Sequence, residues 1–210
     1  MDALFDYPQQ AEFGRIIAKN KIFDRIKPSR KVQDSFAAQI KKIVWQYKLA
    51  PKTTNLSETS KVKEIEIFEV PLKTDNLDIN LLHYIDKAIA HPIIYQLRFG
   101  GKIKIAAAYK RPSDSDASKW VVGDTYFCTD WQSESEQRKK LPVMLDLGSL
   151  YEHFLREIIP LPAKDGENIE KHIKRAEQVM AMEKEHNKLE SRMTREKQFN
   201  RKVELNSQLK

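Results

Sequence analysis

Apolar positions along this chain follow two rhythms, and the change between them is sharpest from Asp78 to Arg111. Leu81, Leu82, Ile85, Ala88 and Ile89 recur at spacings of three and four, the signature of one buried helix face. Asp78 stands where a capping carboxylate would accept an orphan amide hydrogen of the first turn. Pro92 ends the helix, because it lacks an amide donor and biases His91 away from helical angles. From Ile93 the period becomes two: Ile93, Tyr95, Leu97 and Phe99 share one strand face, and Ile103, Ile105, Ala107 and Tyr109 share a face of the next. Gly100 and Gly101 mark a hairpin between them. A two-residue loop would set Phe99 opposite Lys102 and Leu97 opposite Lys104, mixing charge into an apolar face. A three-residue loop, Gly100 to Lys102, pairs Phe99 with Ile103 and Leu97 with Ile105, and this is the register the pattern favours.

The same reading extends outward. Residues 11–26 form a short helix or an irregular arm, with Phe13, Ile16, Ile17, Phe23 and Ile26 turned to the core. Phe36, Ile40, Ile43, Val44 and Tyr47 predict an amphipathic helix over roughly 30–48. After a polar loop, Pro51 to Ser60, the run VKEIEIFEVPLK reads as a strand. Its apolar face switches between Ile67 and Phe68, which predicts a β-bulge or burial on both faces, and Pro71 marks an edge or an end. A polar connection at 112–119 leads to the strand WVVGDTYFCTDW, with Gly123 a bulge or kink, and LGSLYEHFLREII forms a helix ended by Pro160 and Pro162. The fold class that emerges is α+β: a mixed or antiparallel sheet of about four strands packed with helices, followed by a long C-terminal helix.

Three segments divide the chain: a basic helical N-terminus at 1–50, packed on the core; an α+β core at 51–166; and a helix from 167 to 210. The last has 44 residues without Gly or Pro, about 66 Å if it is one helix. Val179, Met182, His186, Leu189 and Met193 keep a three-four spacing; Glu196 and Asn200 interrupt it before Val203 resumes it. This is a polar-interrupted heptad seam, a candidate coiled coil that would meet a copy of itself or another protein.

Composition narrows the class. With 210 residues, 40% apolar and 32% charged, the chain suits one globular domain with an appendage. Cys128 is the only cysteine, so an intramolecular disulfide is excluded and a reducing compartment expected. No apolar run approaches the roughly 20 residues of a membrane span, and MDALFDYPQQ lacks the features of a signal peptide; the expected location is cytoplasmic. The net charge of +7 gathers at the ends: residues 1–50 hold ten Lys/Arg against five Asp/Glu, and residues 167–210 eleven against eight. Nucleic acid or an acidic partner could use that excess.

The chain spells no reaction. FGGKIK lacks the spacing of a phosphate loop and is better explained as a hairpin turn. There is no GxSxG elbow. The histidines at 83, 91, 153, 172 and 186 are scattered, giving no zinc-type ligand set, and His83 and His153 read as boundary residues of amphipathic helices. A restriction-type nuclease would need an Asp-x-Lys or Glu-x-Lys, and neither occurs. Glu64, Glu66 and Glu69 remain as an acidic cluster, with Glu64 and Glu66 on one face and Glu69 opposite. Only the expected bulge would realign Glu69 with the other two. The three read as structural or partner-facing carboxylates, a metal-dependent nuclease being the minor alternative. Neither a catalytic residue nor a cofactor or metal is assigned. The best candidate for contacting nucleic acid is the basic hairpin face of Arg98, Lys102, Lys104, Lys110 and Arg111. The candidate partner-binding residues are Val179, Met182, His186, Leu189, Met193 and Val203.

A set of ordered segments carries a resemblance over nearly the whole chain. FGRIIAKNKIF at 13–23, KIVWQYKLAPKTTNL at 42–56, VKEIEIFEV at 62–70, IDKAIAHPIIYQL at 85–97, YFCTDW at 126–131, LGSLYEHFLREII at 147–159 and EKQFNRKVELN at 196–206 are similar to the bacterial domain of unknown function 4391 family. The resemblance implies company rather than chemistry. Genes of this family tend to neighbour Swi/Snf-type helicases and adenine-specific DNA methyltransferases, in regions that look like restriction or anti-phage defence cassettes. It carries no catalytic residue onto this chain. The function it implies is a non-enzymatic accessory subunit of such a system, with a helicase or methyltransferase as partner. A stand-alone nucleic-acid-binding module using the hairpin face is the alternative.

Overall fold

The computed structural model describes residues 4–116, 119–196, 198 and 201. The chain forms two compact units, Met1–Pro160 and Leu161–Lys210. In the first, a mixed sheet runs in the order β2 (Glu12–Ile17), β3 (Ile43–Leu49), β4 (Ile65–Pro71), β5 (Ile93–Phe99), β6 (Lys102–Pro112) and β7 (Trp120–Cys128). A seventh short strand, β8 (Gln132–Ser133), pairs with β6. The sheet is thus wider than the four strands expected. Within this sheet β4 and β5 are the one parallel pair among the described residues, and the crossover between them carries α4 (Asn80–Ala88). A parallel two-stranded ladder joins β1 (Phe5–Asp6) to β9 (Lys139–Lys140).

Helices cover both faces. α1 (Lys19–Ile26), α2 (Arg30–Gln39) and α4 bring Ile22, Phe36, Leu82 and Ile85 onto Phe68, Val70, Tyr95, Leu97 and Ala106 of the sheet. α5 (Leu147–Ile158) packs against β6 and β7, where Tyr151 stacks on Tyr109 with ring centroids 6.3 Å apart. Its start is fixed by Asp146, which accepts a hydrogen bond of 2.7 Å from the Ser149 amide. A one-turn helix, α3 (Pro51–Thr54), follows β3.

Covering both faces explains where the periodicity misled. The helix expected over 30–48 stops at Gln39, and Ile43–Leu49 is a strand. Ile43 and Val44 are adjacent and both buried, at 0% and 6% exposure. One helix stripe and one doubly covered strand can share such a pattern, and the β-branched and aromatic residues favour the strand. The 11–26 arm likewise divides into β2 and α1. In the hairpin, Phe99 pairs with Lys102 and Leu97 with Lys104, the two-residue register rather than the expected three-residue one. Gly100 and Gly101 both take positive φ, at 56° and 74°, as a tight primed turn requires. The charge brought into the face is tolerated: Lys102 is exposed, and the Lys104 ammonium lies 5.1 Å from the centre of the Trp131 ring.

The strand β4 is buried on both faces, as its pattern allowed. The register shift opposite Ile67 and Phe68 falls in its neighbour, between Trp45 and Tyr47 of β3. Pro71 closes the strand, where it removes no interior ladder bond.

Within the second unit, α6 (Ile169–Arg195) is capped by Asn168, whose side chain accepts from the Lys171 amide at 2.9 Å. The Arg175 guanidinium closes the preceding turn by pairing with Glu167 and donating to the Pro162 carbonyl. Among the described residues, no helix is long and apolar enough to cross a membrane.

Candidate functional site

Strand alternation places one carboxylate in the core. On β4, Glu66, Phe68 and Val70 face the layer of α1 and α4, and Phe68 and Val70 join the apolar cluster there. Glu66, at the amino end of the strand, is 2% exposed. The backbone before β5 lies against it: the Glu66 amide donates to the Pro92 carbonyl at 2.9 Å. His91, one residue earlier, is held in the left-handed region at φ 70°.

A second polar group sits beside this one and is fully engaged. Asp86 of α4 accepts from the Tyr95 hydroxyl at 2.9 Å, the Tyr126 hydroxyl at 2.5 Å and the Lys110 ammonium at 3.3 Å. Lys110 also donates to the carbonyls of Asp86, at 2.8 Å, and of Ile89, at 2.5 Å, which α4 leaves open at its carboxyl end. Burial pushes the Asp86 carboxyl up and the Lys110 ammonium down, and their mutual attraction opposes both shifts. Every donor here has an acceptor, and the arrangement ties α4 to β5, β6 and β7.

A cleft of about 400 Å³ opens over the same end of the sheet. Its outer walls are Arg15, Ile16 and Ile17 of β2 and Lys21, Ile22 and Arg25 of α1; Trp45 and the end of α4 flank it, and Glu64, Glu66 and His91 line it on the sheet side. Arg25 fixes one wall by donating to the Ala88 carbonyl at 2.7 Å. Phe13 packs on Trp45 with ring centroids 4.4 Å apart, and the Arg15 guanidinium lies over Phe13 at 5.1 Å. Glu64 is ion-paired to Lys48 at 2.5 Å and stands 3.6 Å from the His91 Nε2.

The inner end is neither apolar nor satisfied. Glu66 Oε2 and His91 Nδ1 are buried and find no hydrogen-bond partner among the described residues. Burial, reinforced by the negative charge of Glu64, pushes the Glu66 carboxyl up to about 8, although Lys110 and Lys48 oppose it. Burial also holds His91 below its ordinary value, with Glu64 opposing and Lys110 and Lys48 reinforcing. At neutral pH the site therefore presents a mostly protonated carboxyl and a neutral imidazole, with three cationic side chains at its outer wall. Such a pair can both donate and accept hydrogen bonds toward a polar edge.

Alternation correctly separated the acidic residues, since Glu64 and Glu66 line the cleft and Glu69 pairs with Arg98 at 3.0 Å. Among the described residues, no three His, Cys, Asp or Glu side chains are grouped to share a metal ion. The basic hairpin face does not assemble as a unit. Arg98 lies opposite Ile103 rather than Lys104, so it and Lys104 point to different faces. It pairs with both Glu69 and Glu134. Lys110 is 1% exposed and committed to Asp86, and Arg111 pairs with Asp114 at 2.9 Å. Lys102 remains exposed and Lys104 half-buried. Of the proposed seam, Met182 and His186 are exposed, Val179, Leu189 and Met193 are half-buried, and Val203 lies outside the described residues. His83 and His153 are half-buried boundary residues, as expected.

Sequence reasoning missed the ion pair and the cleft. Asp86 falls four residues after Leu82, on the helix stripe, and Lys110 continues the core alternation of Ala106 and Ala108, so a charge at an apolar position was the available signal. The cations of β2 and α1 had no signal until those segments were placed on the sheet.

A family model described as a domain of unknown function, DUF4391, matches residues 5–210, and the chain belongs to that family. No curated protein and no solved structure matches it.

Proposed function

We propose that this member of the DUF4391 family is a non-enzymatic accessory subunit that assembles with a helicase or DNA methyltransferase through its C-terminal helix. The observation that carries the reading is the outer part of α6. The helix is 27 residues long, about 40 Å, and from Ala181 to its end every residue is exposed or only half-buried. Met182 stands 71% exposed, and Leu189 and Met193 extend its stripe at helical spacing. A helix draws most of its stability from packing an apolar face, and burying each of these side chains against a partner would contribute about 1.5–3 kcal/mol before the cost of association. The helicase or methyltransferase as occupant rests on the family resemblance, and a second α6 from another copy is the competing occupant.

The test uses full-length protein. Tagged wild type and a Met182→Glu/Leu189→Glu variant are recovered from nuclease-treated lysate of the native host, and companions are identified by mass spectrometry. Sedimentation of the purified protein reports self-association. A helicase or methyltransferase recovered with wild type and lost with the variant supports the reading. A dimer that the variant dissolves, with no such companion, replaces it by self-assembly.

A further inference from the structure

We infer that the cleft between α1 and the amino ends of β4 and β5 is a binding site for a nucleoside monophosphate unit, its base turned inward to Glu66 and His91 and its phosphate held by Lys21 and Arg15. The site is independent of any assembly through α6.

Three observations converge on this. First, Glu66 is 2% exposed, and its Oε2, like His91 Nδ1, has no partner among the described residues. Buried polar atoms in native proteins are normally paired, and leaving one unpaired is costly. The neighbouring Asp86–Lys110 network meets its own needs and leaves these two atoms out. A ligand edge that both donates and accepts would complete them, and the edge of a nucleobase does so. Second, the cavity of about 400 Å³ is of ligand size. Its walls between the polar ends are Ile17, Ile22, Ile89 and the Trp45 ring, surfaces suited to a flat heteroaromatic ring rather than to a hydrated ion. Third, the outer wall carries cations. Lys21 and Arg15 are exposed, whereas Arg25 is already bonded to the Ala88 carbonyl. A phosphate carried on the sugar beyond that ring would reach them while the base occupies the interior.

The polarity of the cleft gives the ligand its orientation. The Glu64 carboxylate disfavours a phosphate at the inner end and the cations favour it outside, so a base without phosphate loses one anchor and inorganic phosphate lacks the other. A free nucleotide and an unstacked nucleotide of a single strand share this chemistry.

The experiment is a titration of full-length protein, ¹⁵N-labelled and followed by NMR, with AMP, GMP, CMP and UMP separately. The matching nucleosides, inorganic phosphate and short single-stranded oligonucleotides are run alongside. Shifts confined to residues 15–25, 64–66 and 88–91, saturating below millimolar nucleotide for at least one base, are expected. Lys21→Glu, at an exposed position, should weaken that nucleotide about tenfold or more and leave its nucleoside unaffected. Glu66→Leu should weaken both nucleotide and nucleoside. Tighter binding by the mononucleotide identifies a free ligand, and tighter binding by the oligonucleotide identifies a strand. The proposal is overturned if no nucleotide or oligonucleotide shifts the cleft residues, or if affinity survives both substitutions in variants whose spectra and unfolding match wild type.

Discussion

Replacing Lys110 by Met would test whether the core is held by a charge pair or merely contains one. The substitution keeps most of the buried stem and removes the ammonium from Asp86 Oδ1, the Asp86 carbonyl and the Ile89 carbonyl. Lys110 and Asp86 are 1% and 3% exposed, so water cannot take over those bonds. Breaking a buried pair by removing one partner costs about 3–5 kcal/mol, because the remaining charge is stranded. That is a large share of the roughly 5–15 kcal/mol that holds an ordinary domain together. Asp86→Asn strands the ammonium instead, and the double variant strands neither charge. The double variant should therefore be less destabilised than the sum of the singles, by about 1–3 kcal/mol. Urea unfolding followed by the fluorescence of Trp45, Trp120 and Trp131 reads this directly, since all three lie within Met1–Pro160. A loss below about 1 kcal/mol for Lys110→Met, or additive singles, would refute the pairing argument.

Two further outcomes follow from the same structure. The Glu66 carboxyl is raised from 4.5 to about 8 in the folded chain, so the native state favours its protonated form. Its contribution is complete below the unfolded value and lost as pH rises through the folded one, on the order of a few kcal/mol. Urea midpoints should fall from pH 5 to pH 8.5 and flatten in Glu66→Gln, and an unchanged slope in the variant would assign the decline elsewhere. His91 acts with opposite sign: its lowered value gives stability that is present above its ordinary pKa and lost on acidification. Asp146→Ala should cost about 1 kcal/mol by removing the cap of α5, and Asp146→Ser should restore most of it in the same assay.

The elements legible in the sequence were those whose period was unambiguous. The helix at Asn80–Ala88, the strands flanking Gly100 and Gly101, and the helix at Leu147–Ile158 stand where the pattern put them. Errors arose where burial on both faces removes the difference between periods, as at Ile43 and Val44. The hairpin register failed for the same reason: with helices on both faces, placing Lys104 opposite Leu97 carries little penalty, and two glycines of positive φ close the turn. That one-residue slip then dispersed the basic face by separating Arg98 from Lys104. The cleft was illegible for a different cause. Its residues come from β2, α1, β3, β4 and the end of α4, and no spacing along the chain announces that convergence.

The two buried acids, Asp86 and Glu66, stand in the same part of the core and are treated differently by the fold. Asp86 receives three donors, and its lysine also caps the carbonyls at the end of α4. Glu66 Oε2 has no hydrogen-bond partner among the described residues, while Lys110, close enough to influence it, is engaged elsewhere. A core built only for stability could fill the Glu66 position with leucine and lose nothing by it. The network also has a geometric consequence, because Lys110 holds the Ile89 carbonyl two residues before His91. Fixing that carbonyl fixes the start of the turn that presents the imidazole beside Glu64. The satisfied pair thus acts as the support, and the unsatisfied carboxyl and imidazole are what it supports. Local disagreement between a residue and its surroundings tends to mark function rather than folding. Glu66 is one place where this chain disagrees with its own core.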